Sequence, residues 1–288
     1  MRCIITGGAG FIGSNLAESI LLDPANEVMV VDDLSTGKLE NLPPNCRILN
    51  MDIRTTWERE EIESFGADVV FHLAAKARIQ PSFRQPDEFI SVNCMGTVRM
   101  LEFARRAKCR VVYAGSSSFY FDPHANPYAH SKWIGEEHCR MYSHVYGVPV
   151  AIARFFNVYG KRHIRSGSNA NVLGIFEQQT IDGKPLTVTG TGDQRRDFTH
   201  VDDICRGLLS MSSKPWYGEV FNLGRGRNYS INEVAAMFGP SEIDRLPARS
   251  GEAIETLADT TTTRERLGWE PLKNLPDYVD EFLKSLGK

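Results

Sequence analysis

The sequence predicts an α/β fold: a doubly wound parallel sheet with a smaller C-terminal unit interleaved with it. Three observations lead there. Short apolar runs alternate with segments of helical spacing through the first half, the pattern of β-α-β units on a parallel sheet. The first run ends in a glycine turn that opens a helix. After about Gly160 the alternation loosens into shorter, more polar segments.

Residues 2–5 form an apolar run that ends at Thr6. Gly7-Gly8-Ala9-Gly10-Phe11-Ile12-Gly13 follows, and then residues 14–22 have helical apolar spacing. Glycines at 7, 10 and 13 allow a tight turn, close backbone approach to a pyrophosphate, and packing of helix on strand. A G-x-G-x-x-G register also fits at Gly8, Gly10 and Gly13. The helix N-terminus offers free N–H groups to phosphates. No Gly-Lys-Ser/Thr follows, which argues against a P-loop. The run 27–31 ends at Asp32, about twenty residues past the glycines, where a carboxylate accepts from ribose hydroxyls and repels a 2′-phosphate. The implied cofactor is NAD and the implied fold is of the Rossmann type.

Further buried strands are predicted at 68–73, 110–114 and 148–153, with long helices at 87–108 and 128–146. Gly13, Asp32, His72 to Ala75 and Ser116 to Ser118 follow strand ends, so they are expected to converge on one crevice. Residues 161–171 are polar without periodicity. A helix is expected at 172–182, a turn at 190–193, a helix at 201–210 and a last sheet strand at 219–223. The tail, 260–288, has helical spacing broken at Gly268 and Pro271. Residues 1–160, completed by 195–223, are expected to bind NAD, and 161–288 to form the small substrate unit.

Composition bounds the function classes. The 288 residues are 42% hydrophobic and 24% charged, with a net charge of −3. That is an ordinary core-forming composition, with no basic surface for nucleic acid or anionic membrane. No apolar run approaches a membrane span, and the chain enters a strand without a signal-peptide pattern. Six scattered cysteines lack C-x-x-C spacing and read as reduced, mostly buried thiols of a cytoplasmic protein. No cluster has metal-ligand spacing.

Tyr128 and Lys132 lie four residues apart, on one face of the expected helix. An ammonium beside a phenol favours the phenolate, which can then take a hydroxyl proton. Together with the glycine turn and Asp32, several further segments carry a resemblance. They are His72-Leu-Ala-Ala75, Asn93-Cys-Met-Gly-Thr97, the serines 116–118, Arg154-Phe-Phe-Asn-Val-Tyr-Gly160, Arg195-Arg-Asp-Phe-Thr-His-Val-Asp-Asp203, and Pro247-Ala-Arg-Ser-Gly-Glu252 through Ala258-Asp259. The chain resembles the extended short-chain dehydrogenase/reductase family over nearly its whole length, specifically the NAD-dependent nucleotide-sugar epimerases and dehydratases, and most of all the UDP-sugar 4-epimerases.

The resemblance implies roles. Tyr128 is the base for the sugar 4-hydroxyl, Lys132 holds the nicotinamide ribose, and Ser116, with Ser117 second, bonds the same sugar oxygen. NAD is carried by Gly7, Gly10, Phe11, Ile12, Gly13, Asp32, Asp33, Ser35, Thr36, Gly37, Asp52, Ile53, Leu73, Ala74, Ala75, Asn93, Tyr128, Lys132 and Phe155. Asn157 meets the substrate diphosphate, Arg196 and Arg249 neutralise it, Glu252 binds the nucleotide ribose, and Asn171 and Val172 line the pocket. Thr256 stands where the family gates the sugar C2 substituent; its small size leaves room for UDP-N-acetylhexosamines beside UDP-glucose and UDP-galactose. Dehydratases of the family carry an acidic pair where Ser117-Ser118 stand, the decarboxylases a glutamate absent here, and the reductases prefer NADP. Epimerisation at C4 of a UDP-sugar is the reaction that remains; a dehydratase, a decarboxylase or a non-catalytic NAD-binding sensor or scaffold are the alternatives. The resemblance also implies a homodimer through the two long helices. Residues 122–127 replace a longer family loop, and Arg78, beside the expected nicotinamide edge, has no role in the pattern.

Overall fold

The computed structural model describes residues 1–239 and 242–287. In chain order the first half contains β1 (Arg2–Thr6), α1 (Phe11–Leu21), β2 (Glu27–Asp32), β3 (Arg47–Asn50), α2 (Glu60–Glu63), β4 (Val69–His72), α3 (Ile79–Arg84), α4 (Pro86–Ile90), α5 (Gly96–Ala107), β5 (Arg110–Ser116), α6 (Pro127–Tyr146) and β6 (Val150–Phe155). The second half contains β7 (Asn157–Tyr159), α7 (Val172–Asp182), β8 (Leu186–Thr189), β9 (Arg195–His200), α8 (Val201–Ser212), β10 (Tyr217–Leu223), β11 (Asn228–Ser230), α9 (Ile231–Met237), β12 (Ile243–Leu246), α10 (Thr261–Leu267) and α11 (Leu275–Ser285).

Seven parallel strands form the main sheet in the order β10-β6-β5-β4-β1-β2-β3. This is the Rossmann-type arrangement. Its central strands are buried on both faces because helices cover both. The two faces are read off alternate residues of each strand: Ile4, Val70 and Val111 pack with Met100 and Leu101 on one side, while Ile5, Phe71 and Val112 pack with Leu16, Ile204 and Leu208 on the other. The strand order reverses between β1 and β4, which opens a crevice at their carboxyl ends.

A third apolar cluster, around Leu173, Phe176, Val188, Phe198, Val234 and Val279, supports the smaller elements. They carry a three-stranded sheet, β11-β9-β7, and a two-stranded one, β12-β8. The segment 195–223 divides between the sheets: β10 pairs parallel with β6, but β9 lies between β7 and β11. Two buried carboxylates tie the C-terminal chain onto this frame. Asp197 accepts from the backbone N–H groups of Arg225 (2.7 Å), Gly226 (2.8 Å) and Ala258 (3.1 Å). Asp203 accepts from those of Leu272 and Lys273.

The predicted helix 87–108 differs in detail. It consists of α4 and α5 joined by a π turn over Ser91–Met95, and it ends at a left-handed Lys108. Buried positions 89, 92–94, 96–97 and 100–101 still recur every three to four residues across it, so the π turn is invisible in the sequence. The short strands β3, β7, β8, β9, β11 and β12 were likewise unpredicted. Edge strand β3 is largely exposed and has no apolar run, and the others exist through their long-range pairing. Cys46 is half-buried, the other five cysteines are buried, and all six are free. Among the described residues no helix is long and apolar enough to cross a membrane.

Candidate active site

A cleft of about 950 Å³ lies over the carboxyl ends of the main sheet and continues toward the small sheets. That is the upper end of ordinary ligand sites, large enough for more than one small molecule. Every cofactor residue named from the sequence lines it except Gly37 and Asn93, and all the named substrate residues do.

The dinucleotide end begins at the glycine turn. Gly7 has φ +68°, and a Cβ there would meet Ala74 N at 2.8 Å. A Cβ on Gly13 would stand 2.3 Å from Gly7 O. The N–H groups of Phe11, Ile12 and Gly13 lie in the first turn of α1 and have no acceptor within the helix. At the end of β2 Asp32 accepts from Ala9 N (2.9 Å) and Leu34 N (2.8 Å), while burial pushes its pKa up. Both carboxylate oxygens retain lone pairs beyond these bonds. A glycine turn with free helix N–H groups, followed by a carboxylate with free lone pairs, fits the pyrophosphate and ribose of NAD. Gly37 packs behind it, where a Cβ would meet Ala9 and Asp32.

The Tyr128 end of the cleft is set by α6. Asn126 caps it by accepting from Ala129 N (2.8 Å), and Pro127 occupies its first position, so Tyr128 falls in the first turn. Lys132, one turn on, is buried against the Tyr113 ring, 4.5 Å from its centroid. Burial pushes Lys132 down to about 8, with Glu136 opposing. Glu136 is itself held by Arg154 (2.7 Å) and Arg140 (3.0 Å). Tyr128 Oη lies 3.3 Å from Ser116 Oγ. Ser118 donates twice to that oxygen, from its N–H (3.2 Å) and its hydroxyl (2.9 Å). Three contacts, two from Ser118 and one from the Tyr128 hydroxyl, thus converge on Ser116 Oγ and fix it at the cleft wall beside the phenol.

His72 was expected in the crevice but turns away from it. It is 2% exposed, with Nδ1 2.9 Å from Thr6 Oγ1 and Nε2 3.1 Å from Thr97 Oγ1. Thr97 donates to Asn93 O and Thr6 accepts from Ala74 N. One assignment satisfies the whole chain: Thr6 donates to Nδ1 and Nε2–H donates to Thr97. Asn93 stands behind the cleft and clamps Lys76 through both its backbone groups (2.8 and 3.0 Å) while donating to Ser131 Oγ (2.8 Å). The π turn thus fastens the loop after β4 to α6.

At the far end Glu252 lies 3.6 Å from Arg196 and 3.9 Å from Arg249. Gln80 and Asn126 donate to Ser250 O and Gly251 O, which holds this loop across the cleft. Asn157 projects from β7. Asn171 caps α7, accepting from Gly174 N (2.7 Å) and donating to Val158 O (2.9 Å), so most of its capacity is structural. The Thr256 hydroxyl accepts from Asp197 N at 3.3 Å. Arg78 also lines the cleft. No motif marked it; a non-glycine backbone at φ +88° is its distinguishing signal and needs coordinates.

Residues 3–224 match the model of the NAD dependent epimerase/dehydratase family. The chain is 34% identical over 303 residues to the UDP-glucose 4-epimerase of Mycolicibacterium smegmatis, covering 97% of this chain and 96% of that one. It is 32% identical over 311 residues to UDP-glucuronic acid decarboxylase 1 of Danio rerio, covering 98% and 72%. Among solved structures, the UDP-glucuronic acid 4-epimerase of Bacillus cereus, in complex with UDP-glucuronic acid and NAD, superposes with a TM-score of 0.90 at 28% identity, covering 99% and 100%. The chain belongs to the NAD-dependent epimerase/dehydratase family, whose enzymes use NAD.

Proposed function

We propose that this enzyme inverts C4 of a UDP-sugar through a transient 4-keto sugar and keeps NAD as a bound prosthetic group. The observation that carries the reading is the company of Tyr128: Ser116 at 3.3 Å, Lys132 one turn behind, and serines where an eliminating enzyme needs carboxylates. NAD, when bound, supplies the hydride acceptor and donor. Tyr128 takes the 4-hydroxyl proton as general base and returns it afterwards. Ser116 donates toward the same sugar oxygen, and Lys132, one turn behind Tyr128, holds the nicotinamide ribose. Arg196 and Arg249 present guanidinium groups to the diphosphate, with Asn157 beside them. Glu252 orients the pair and faces the nucleotide ribose. Thr256, a small half-buried side chain, leaves space for an N-acetyl group.

In this reading residues 1–160 with 195–223 hold NAD and 161–288 hold the UDP-sugar. Free, mostly buried thiols suit a cytoplasmic enzyme. Exposed Met95, Met141, Val145 and Tyr146, on and beside α5 and α6, suit a homodimer through those helices. Decarboxylation of a UDP-uronate is the second reading, favoured by the identity to the decarboxylase.

Purified NAD-loaded protein is incubated with UDP-galactose, UDP-N-acetylgalactosamine and UDP-glucuronate, and products are identified by NMR. C4 epimers are expected. A pentose or a dehydrated sugar as sole product sinks the epimerase reading, and no turnover of any sugar favours a non-catalytic protein. Tyr128→Phe should lower turnover by about 10²- to 10⁴-fold with NAD retained.

A further inference from the structure

Arg78 sits in the cleft wall at the residue that opens α3, with φ +88° and ψ 136°. An L-residue held there is strained, and such strain persists where the surroundings impose it, often at ligand sites. Its Nε donates to Asn169 O (2.9 Å), on the segment leading into α7, which fixes the plane of the guanidinium. Both Nη atoms make no hydrogen bond, and no carboxylate lies within ion-pair distance, among the described residues. Arg196 and Arg249 differ, since they share Glu252. Burial pushes Arg78 below its ordinary range, and Tyr128 is the group that opposes the shift. Arg78 opens α3, which packs on α6, the helix that carries Tyr128, so on the Tyr128 side the cleft holds a partly buried, unneutralised fork of N–H donors.

A planar guanidinium matches an anion with two parallel oxygens. Three anions are candidates. The dinucleotide pyrophosphate belongs at the start of α1. The substrate diphosphate is attached at C1, across the sugar ring from C4, and Arg196 and Arg249 await it. A carboxylate at C6 is carried on C5, next to C4, and so falls on the Tyr128 side. We propose that Arg78 recognises the C6 carboxylate of the sugar, which makes UDP-hexuronates the preferred substrates of this site. The inference rests on the C4 reading above, in which Tyr128 marks the C4 end of the sugar.

The test is calorimetric binding to NAD-loaded protein in a Tyr128→Phe background, where the sugar stays intact. The probes are UDP-glucuronate, UDP-glucose and UDP. With Arg78 present, UDP-glucuronate should bind at least about 10-fold tighter than UDP-glucose. Arg78→Gln should weaken UDP-glucuronate about 10- to 100-fold and change the other two by less than about 3-fold. Equal losses for all three probes would place the guanidinium on the diphosphate and overturn the proposal, as would an unchanged affinity for UDP-glucuronate. Should the Gln variant fail to fold, the comparison of UDP-glucuronate with UDP-glucose on Arg78-containing protein decides by itself: equal affinities overturn the proposal. The two readings fail separately, since C4 inversion of neutral sugars without uronate preference sinks only the role of Arg78. Uronate preference without C4 inversion of any sugar sinks only the reaction.

Discussion

Acid should weaken this fold through one buried imidazole. His72 lies between Thr6 and Thr97, and burial, with a smaller contribution from the Lys132 charge, pushes its pKa from 6.5 down to about 3. In the unfolded chain the ring regains its ordinary value. Below pH 6.5 the unfolded state therefore binds a proton that the folded state refuses, and stability falls with pH between about 6.5 and 3. At pH 5.0 the gap is one and a half pH units, at about 1.4 kcal/mol each, or about 2 kcal/mol. The ring is 2% exposed, so solvent screening removes little of this. Other groups titrate in the same range, and His72→Gln isolates the effect. A glutamine can accept from Thr6 and donate to Thr97, yet it does not ionise. Urea unfolding at pH 7.5 and 5.0, with NAD in excess, gives a stability loss for each protein. The loss should be about 2 kcal/mol larger for the protein with His72 than for the His72→Gln variant. Equal losses would refute both the buried neutral ring and the hydrogen-bond direction drawn from it.

Three more expectations follow from the same geometry. Gly13→Ala places a Cβ 2.3 Å from Gly7 O and 2.6 Å from Gly8 Cα, both backbone atoms that cannot swing aside; the purified protein should lose bound NAD and about 1–3 kcal/mol of stability, read by absorbance and urea unfolding. Lys132 loses its proton as pH rises through about 8, so kcat/KM should fall above that pH, and Lys132→Met should lower the plateau and abolish that limb. Arg154→Met leaves the buried Glu136 carboxylate with Arg140 alone and removes the guanidinium stacked on Phe119; a cost of about 3 kcal/mol in urea unfolding is expected, and a change under about 1 kcal/mol would contradict it.

The parts of the site legible in the sequence are those whose chemistry occupies contiguous residues. A phosphate-binding turn needs glycines at fixed offsets before a helix, and 7–13 supply them. A carboxylate for a ribose is expected at the end of the next strand, and Asp32 ends β2. A phenol and an ammonium meet at four-residue spacing once Asn126 and Pro127 start the helix. A helix with a clear apolar stripe, such as α8, was legible for the same reason. Other features depended on partners far along the chain. Nothing near Asn93 announces that it clamps Lys76 behind the cleft, because the π turn that aims it hardly alters the hydrophobic period. The serine run has three candidate hydroxyls, and the fold of the following short helical turn decides which one stands at 3.3 Å from Tyr128.

The amino-acid order alone determined a parallel sheet with a glycine turn before its first helix, a carboxylate at the end of the second strand, and the four-residue spacing of phenol and ammonium. Each follows from backbone sterics or side-chain spacing within one turn or strand. Only the tertiary structure decided that His72 is a buried strut, that β9 leaves the main sheet for a small one, and that Arg78 faces the cleft without a counter-charge among the described residues. Those outcomes depend on pairings across tens to hundreds of residues, where burial and competing partners, rather than local periodicity, set where each polar group ends.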